Sequence, residues 1–176
     1  MVSPHRNRRR VFISATTAGF GEWRKRIKNI LLAHDIMPVE QEAFQPCSED
    51  LLREISNEIF EADGVICLIG PFYGFPSPEK RDEYRMSYTQ YEWFHTRYLR
   101  RPCLTFIAER AFFNRPDVRW PESNDDQACQ EQFVEVVKKH GFAGRYGIRQ
   151  VASELALALE LSKINWVKWL GDDSEA

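Results

Sequence analysis

The run Ser87-Tyr88-Thr89-Gln90-Tyr91-Glu92-Trp93-Phe94 places one carboxylate, Glu92, in an aromatic stretch that reads as the start of a helix. On a helix, Tyr88 lies one turn before it at i−4 and His95 one turn after it at i+3, so the three share a face. A carboxylate walled by rings can stabilise a cationic transition state. The same pattern also describes a solvated helix residue paired with Arg97 or Arg100 over a core of aromatics, and the run alone leaves both readings open.

The elements that must position Glu92 follow from composition and periodicity. A chain of 176 residues with 43% apolar and 13% aromatic residues supplies one sizeable core. No apolar run is long enough to cross a bilayer. The basic start, Met1 to Arg10, is followed by only a short apolar segment, so neither a membrane span nor a signal peptide is expected and the protein is expected to be cytoplasmic. Cys47, Cys67, Cys103 and Cys129 are widely spaced, and Cys67 and Cys103 fall in apolar runs, as reduced core residues do. His5, His34, His95 and His140 show no metal-ligand spacing with them, so no metal site is expected. A net charge of −2 gives no footprint for direct nucleic-acid binding. The basic residues from Arg6 to Lys28 and the acidic end at Asp172, Asp173 and Glu175 read as solvated faces.

Val11-Phe12-Ile13 is a short buried strand, followed by a polar loop from Ser14 to Gly21. From Glu22, Trp23, Ile27, Ile30 and Leu31 recur at helical spacing, and Ile36 to Val39 is the second strand, with Glu40 and Glu42 at its end. Ser48 is the expected N-cap of a helix over 49–61 with Leu52, Ile55 and Ile59 inward. Val65 to Ile69 is continuously apolar, as a strand covered on both faces must be, and ends at Gly70-Pro71-Phe72-Tyr73-Gly74. A mobile loop over 76–85, a helix over 88–99, a strand over 103–107 and an irregular connection over 109–124 follow. The pattern continues with a helix over 125–140, a fifth strand over 142–148 and a last helix over 149–163 that is apolar on more than one side. That helix and Trp166, Val167, Trp169 and Leu170 are expected to meet a partner or a further domain. The domain plan is a basic arm over 1–9, one domain over 10–165, and a tail or linker over 166–176.

Strands alternating with helices imply an α/β three-layer sandwich around a five-stranded parallel sheet in the flavodoxin-like order 2-1-3-4-5. Such sheets bind ligands beyond the carboxyl ends of their strands, at the switch between the first and third. That rule gathers Ser14 to Gly21, Glu40 and Glu42, and Gly70 to Gly74, with Glu92 opening the next helix.

Val11 to Thr16, Pro38 to Phe44 with Glu42, Leu68 to Gly74, and Ser87 to Glu92 together resemble the TIR-like domain of unknown function 4062, which commonly precedes STAND-type NTPase modules. The resemblance covers roughly residues 10–165. Its wider relatives are TIR domains and nucleoside 2-deoxyribosyltransferases, which share the sheet and a glutamate at the place of Glu92. The resemblance implies cleavage of an N-glycosidic bond, often in NAD, and in bacteria depletion of NAD during phage defence. This chain departs from the family pattern at Ala15, where a second serine is usual, at Phe72, where an arginine is usual, and at Gln90, where an acid is frequent. The lost guanidinium at Phe72 removes a partner for phosphate or carboxylate.

Within that resemblance the chemistry asks little of the protein. Nicotinamide leaves from a cationic pyridinium and needs no proton, so one carboxylate can serve where ordinary glycoside hydrolysis uses two. Glu92 is the candidate, as electrostatic stabiliser of the sugar cation or as a transient nucleophile. Ser14, Thr16 and the following backbone can hold phosphate, and Tyr73 or Tyr88 can stack on the base or pack in the core. Glu42 can bind a ribose hydroxyl or cap a loop; Gly70 and Gly74 permit close backbone approach. The expected activity is an NAD glycohydrolase module with NAD as substrate and no cofactor, activated by self-association or by a C-terminal STAND-type NTPase region. A catalytically silent interaction or nucleotide-sensing module and a nucleoside 2-deoxyribosyltransferase are the alternatives.

Overall fold

The computed structural model describes residues 8–40, 49–81, 83–113, 122–140 and 146–171. In chain order the elements are β1 (Arg10–Ala15), α1 (Thr17–Ala33), β2 (Met37–Val39), α2 (Glu49–Glu61), β3 (Gly64–Ile69), β4 (Pro76–Arg81), β5 (Tyr84–Ser87), α3 (Tyr88–Tyr98), β6 (Cys103–Ala108), α4 (Asn124–Lys139), β7 (Tyr146–Val151), α5 (Glu154–Ser162) and α6 (Trp166–Gly171), with a 3-10 turn at Arg110–Phe112. The main sheet runs β2-β1-β3-β6-β7, all parallel, which is the predicted 2-1-3-4-5 order counted over its own strands.

Side chains alternate across a strand, and here the alternation divides the interior in two. Val11, Ile13, Ile66, Leu68 and Phe106 pack with α1, α5 and α6 on one face. Phe12, Val65, Cys67, Ile69, Cys103 and Ile107 pack with α2, α3 and α4 on the other. All six residues of β3 are therefore buried, as its unbroken apolar run requires. Ser14 shares the parity of Phe12, so it projects toward α3.

The polar loop expected over 14–21 is mostly helix, since α1 begins at Thr17. Burial of Phe20 and Trp23 against the sheet overrides the low helix propensity of Gly19 and Gly21. Gly19 has φ +90, and a Cβ there would stand 2.8 Å from Phe113 Cε1. In α2, Leu51 joins Leu52, Ile55 and Ile59 in the buried face. Ser48, its expected cap, lies outside the described residues.

The segment expected to be a mobile loop is instead the antiparallel ribbon β4–β5. Its charged, exposed strands carry no apolar alternation that would betray them. The Tyr73 hydroxyl pins it from outside by donating to the Arg85 carbonyl; within it Ser77 Oγ donates to the Met86 carbonyl at 2.8 Å, and at its base the Tyr88 amide donates to the Phe75 carbonyl at 3.0 Å.

The last strand ends later than its glycines suggest. Tyr146 to Val151 pair with Cys103 to Ala108, so Arg149 to Val151 belong to β7 and not to the following helix. Residues 141–145 lie outside the described residues. α5 starts after Ser153, whose hydroxyl accepts the Ala156 amide at 3.1 Å, and buries Leu157 and Leu161 while Leu155 and Leu159 stay exposed. Residues 166–171, expected in a tail or linker, form α6 and bury Trp166, Trp169 and Leu170 in the core; Val167 points outward.

That packing leaves no room at the start of β3. A Cβ on Gly64 would lie 2.8 Å from both Leu170 Cδ2 and Trp169 Cη2, whereas one on Gly21 would meet nothing within 4 Å. Gly64→Ala is expected to destabilise by about 1–3 kcal/mol through overpacking. Gly21→Ala is expected to be neutral or to stabilise by up to about 1 kcal/mol through helix propensity. Equilibrium urea unfolding of the two variants checks the order, and the opposite order would disprove the seating of α6 on β3.

Candidate functional site

The first turn of α3 is fixed by a capping box: the Gln90 amide donates to Ser87 Oγ and the Ser87 amide donates to Gln90 Oε1, each at 3.3 Å. Further along, Thr96 Oγ1 donates within the helix to the Glu92 carbonyl at 2.7 Å, and Trp93 Nε1 donates to Thr105 Oγ1 of β6 at 3.2 Å and so holds the helix to the sheet. Thus seated, α3 turns Glu92 inward to the carboxyl end of β1, where Ser14 Oγ donates to its Oε2. Glu92 is 6% exposed and Ser14 1%, which removes the solvated reading of the carboxylate.

Burial pushes the Glu92 carboxyl up to about 7, while the Ser14 hydrogen bond and the positive charge of Arg24 on α1 pull it down. It stands near half-ionisation at neutral pH. Below it, Cys67 Sγ lies 3.8 Å from Cys103 Sγ. That hydrogen bond, followed by burial and with the charge of Glu92 adding to both, pushes the Cys67 thiol well above its ordinary range.

The neighbouring backbone is tightly seated. Gly74 has φ +80, and a Cβ there would be 3.0 Å from Thr16 Cγ2, so the loop after β3 rests on the end of β1. A Cβ on Gly70 would be 3.1 Å from Phe113 Cζ and 3.2 Å from Phe20 Cε2. The Gly70 carbonyl accepts from Gln130 Nε2 at 2.7 Å, and Gln130 Oε1 accepts from Gln90 Nε2 at 2.9 Å. Both glutamines are buried, and the relay ties α3, α4 and the Gly70 loop together. Sequence reasoning missed Gln130. Its signal was a polar residue at i−3 from Phe133 and i−7 from Val137, inside the inward stripe of α4.

The structure thus brings Ser14 to Glu92, seats Gly74 on Thr16 two residues beyond Ser14, and ties Gly70 to α3 through Gln130 and Gln90. Tyr73 and Tyr88 are buried, and they wall the region without presenting a free ring face. The Tyr73 hydroxyl is pushed up to about 12, by burial first and then by the charge of Asp126. His95 does not join Glu92: its ring stacks on Tyr91 at 5.4 Å, and burial lowers its pKa. Glu42 lies outside the described residues. Phe72 packs its ring on Phe113 at 5.1 Å, and Phe113 meets Phe20 at 5.2 Å, so an aromatic cluster forms beside Gly19. Among the described residues no group of three or more His, Cys, Asp or Glu could hold a metal, and no helix is long and apolar enough to cross a membrane.

A parallel sheet in this order, flanked by helices on both faces, with one buried carboxylate at its carboxyl edge, defines a flavodoxin-like α/β domain. The family model for the domain of unknown function DUF4062 matches residues 10–160, and the chain belongs to that family. Among solved structures, the CMP N-glycosidase BcmB of Clostridium botulinum aligns with 88% of this chain and 99% of its own at 12% identity and a TM-score of 0.46, too distant to carry a functional argument. No curated protein matches the sequence at a significant level.

The Glu92 carboxyl makes stability depend on pH. Its folded pKa of about 7 lies above the ordinary 4.5, so between these values the folded protein binds more protons than the unfolded chain. The stability this contributes is fully present below 4.5 and is lost as pH rises through 7. Wild type is expected to lose on the order of 3 kcal/mol relative to Glu92→Gln between pH 4 and pH 8. Ser14→Ala removes a bond that favours the charged form and should widen the loss. Urea midpoints across that range test this, and a difference independent of pH would contradict the burial of the carboxyl.

Proposed function

We propose that this domain hydrolyses the N-glycosidic bond between ribose and nicotinamide in NAD and that assembly switches it on. The observation that carries the reading is Glu92, buried at the carboxyl edge of the sheet and held by Ser14. As the C1′–N bond breaks, its electron pair leaves with neutral nicotinamide and the ribose becomes an oxocarbenium-like cation. Ionised Glu92 stabilises that cation, or bonds to C1′ transiently, until water supplies the hydroxyl and releases a proton. In a dry site the carboxylate's field is stronger than in water.

Thr16, Gly70 and Gly74 are the proposed contacts for the rest of the nucleotide, and Glu42 is the proposed partner of a ribose hydroxyl. Because Glu92 is 6% exposed, a ribose reaches it only after neighbouring groups move. That requirement suits activation by self-association or by a C-terminal STAND-type NTPase region, and a role in bacterial antiphage defence by NAD depletion.

A second reading rests on the same burial. With Arg24's charge in range and Phe72 in place of an arginine, the buried Glu92 also suits a catalytically silent module that keeps the fold for interaction or nucleotide sensing.

Nicotinamide release from NAD by protein clustered on a multivalent scaffold tests the proposal. Glu92→Gln is expected to lower the rate by ~100-fold or more. Wild-type kcat/KM is expected to rise with pH and level off above about 7, since the ionised carboxylate acts. Equal release by both proteins would remove Glu92 from the chemistry. Absence of release from both, with the fold intact, would favour the silent module.

A further inference from the structure

The segment between β3 and β4, residues 70–75, touches both elements that bring Ser14 and Glu92 together. At Gly74 it presses on Thr16, the residue after β1, where a Cβ would stand 3.0 Å from Thr16 Cγ2. One residue on, the Phe75 carbonyl accepts the amide of Tyr88, which opens α3 one turn before Glu92. We propose that this segment is a strap that keeps the Ser14–Glu92 pair closed, and that Glu122 is the fastening whose release opens it.

The strap is held to α4 and to the residue just ahead of that helix's cap. At its start the Gly70 carbonyl accepts Gln130 Nε2 at 2.7 Å, and near its end the Gly74 amide donates to Glu122 Oε1 at 3.1 Å. The two holds differ in what their loss costs. Gln130 is 3% exposed and its Oε1 is engaged by Gln90, so breaking its bond strands polar groups away from water. Glu122 and Gly74 are only half-buried, so water can take the place of either partner at small cost. The Glu122 contact is therefore the one that gives way first.

The remaining contacts leave the strap able to lift. The Tyr73 hydroxyl, donating to the Arg85 carbonyl, ties it to the β4–β5 ribbon that it leads into, not to α4. Phe75 is 63% exposed, so that end of the strap is not packed beneath other side chains. Release of Glu122 also frees the Gly74 amide beside Thr16, two residues from Ser14. The consequence for activity rests on the glycohydrolase reading above; the closure itself does not.

Amide hydrogen exchange at Gly74 and a carbon-13 titration of the Glu92 carboxyl test the closure without an enzymatic readout. Glu122→Ala is expected to speed Gly74 exchange by about tenfold or more, as loss of a hydrogen bond to a charged group would. It is also expected to bring the Glu92 titration down from about 7 toward 4.5 as water enters, with the fold retained. Glu122→Gln removes the charge and keeps an acceptor oxygen, so Glu92 is expected to titrate there as in wild type. Gly74→Ala forces the strap off Thr16 without touching Glu122 and is expected to lower the Glu92 titration as well. Nicotinamide release by unclustered Glu122→Ala is expected to exceed that of wild type. The proposal is overturned if Gly74 exchange or the Glu92 titration stays at its wild-type value in Glu122→Ala. It is overturned too if Glu122→Gln shifts Glu92 as far, since charge and not closure would then be the cause. Faster exchange and a lowered titration without nicotinamide release would uphold the strap and count against the glycohydrolase reading alone.

Discussion

A carboxylic acid inside a protein is tolerated only where something holds it, and the contact between Glu92 and Ser14 meets that condition here. The two residues are 78 positions apart in the chain. They meet because β1 lies beside β3 in the centre of the sheet, because Ser14 has the parity that faces α3, and because α3, capped at Ser87, is held to β6 by Trp93. Each of those conditions belongs to a different level of the structure. A shift of β1 by one residue would reverse its parity and leave the acid without its donor.

The surroundings are dry for a specific reason. Phe113 packs beside Gly70, Phe20 and Phe72 pack on it, and Gly74 is pressed onto Thr16. Absent side chains at Gly70 and Gly74 let rings and backbone approach to contact distance at the end of the sheet, and Glu92 itself is buried. Exclusion of water has two effects on Glu92. It raises the proton affinity of the carboxyl, and it strengthens whatever field the ionised form exerts. Phe72 contributes through its ring contact with Phe113.

Helix α3 divides the region. One side carries Glu92 toward β1; another, at Gln90 and Phe94, forms a wall of a cavity under the ribbon. Gln90 serves the capping box with its carbonyl and reaches Gln130 with its amide, and Gln130 continues to the Gly70 carbonyl. Buried amides joined in series specify one arrangement, since breaking any link strands a polar group away from water. Gln90 thus helps to fasten three elements.

Much of this was legible in the amino-acid sequence. The unbroken apolar run at β3 and the largely apolar runs at β1 and β6, spaced by amphipathic helices, pointed to a parallel sheet, because a strand covered on both faces is apolar on both. Aromatic density around Glu92 marked it as unusual. Where local pattern and tertiary environment disagreed, the environment prevailed: α1 begins at Thr17 through two glycines because Phe20 and Trp23 are buried, and α6 is helix because Trp169 and Leu170 cover Gly64. The ribbon β4–β5 could not be read, since exposed strands need no apolar period. Only the tertiary structure decided that Glu92 meets Ser14 and not His95, and that Gln130 faces Gly70. Periodicity tells which side of an element is buried, but the partner found there depends on strand order and register, which bring together residues that no local pattern connects.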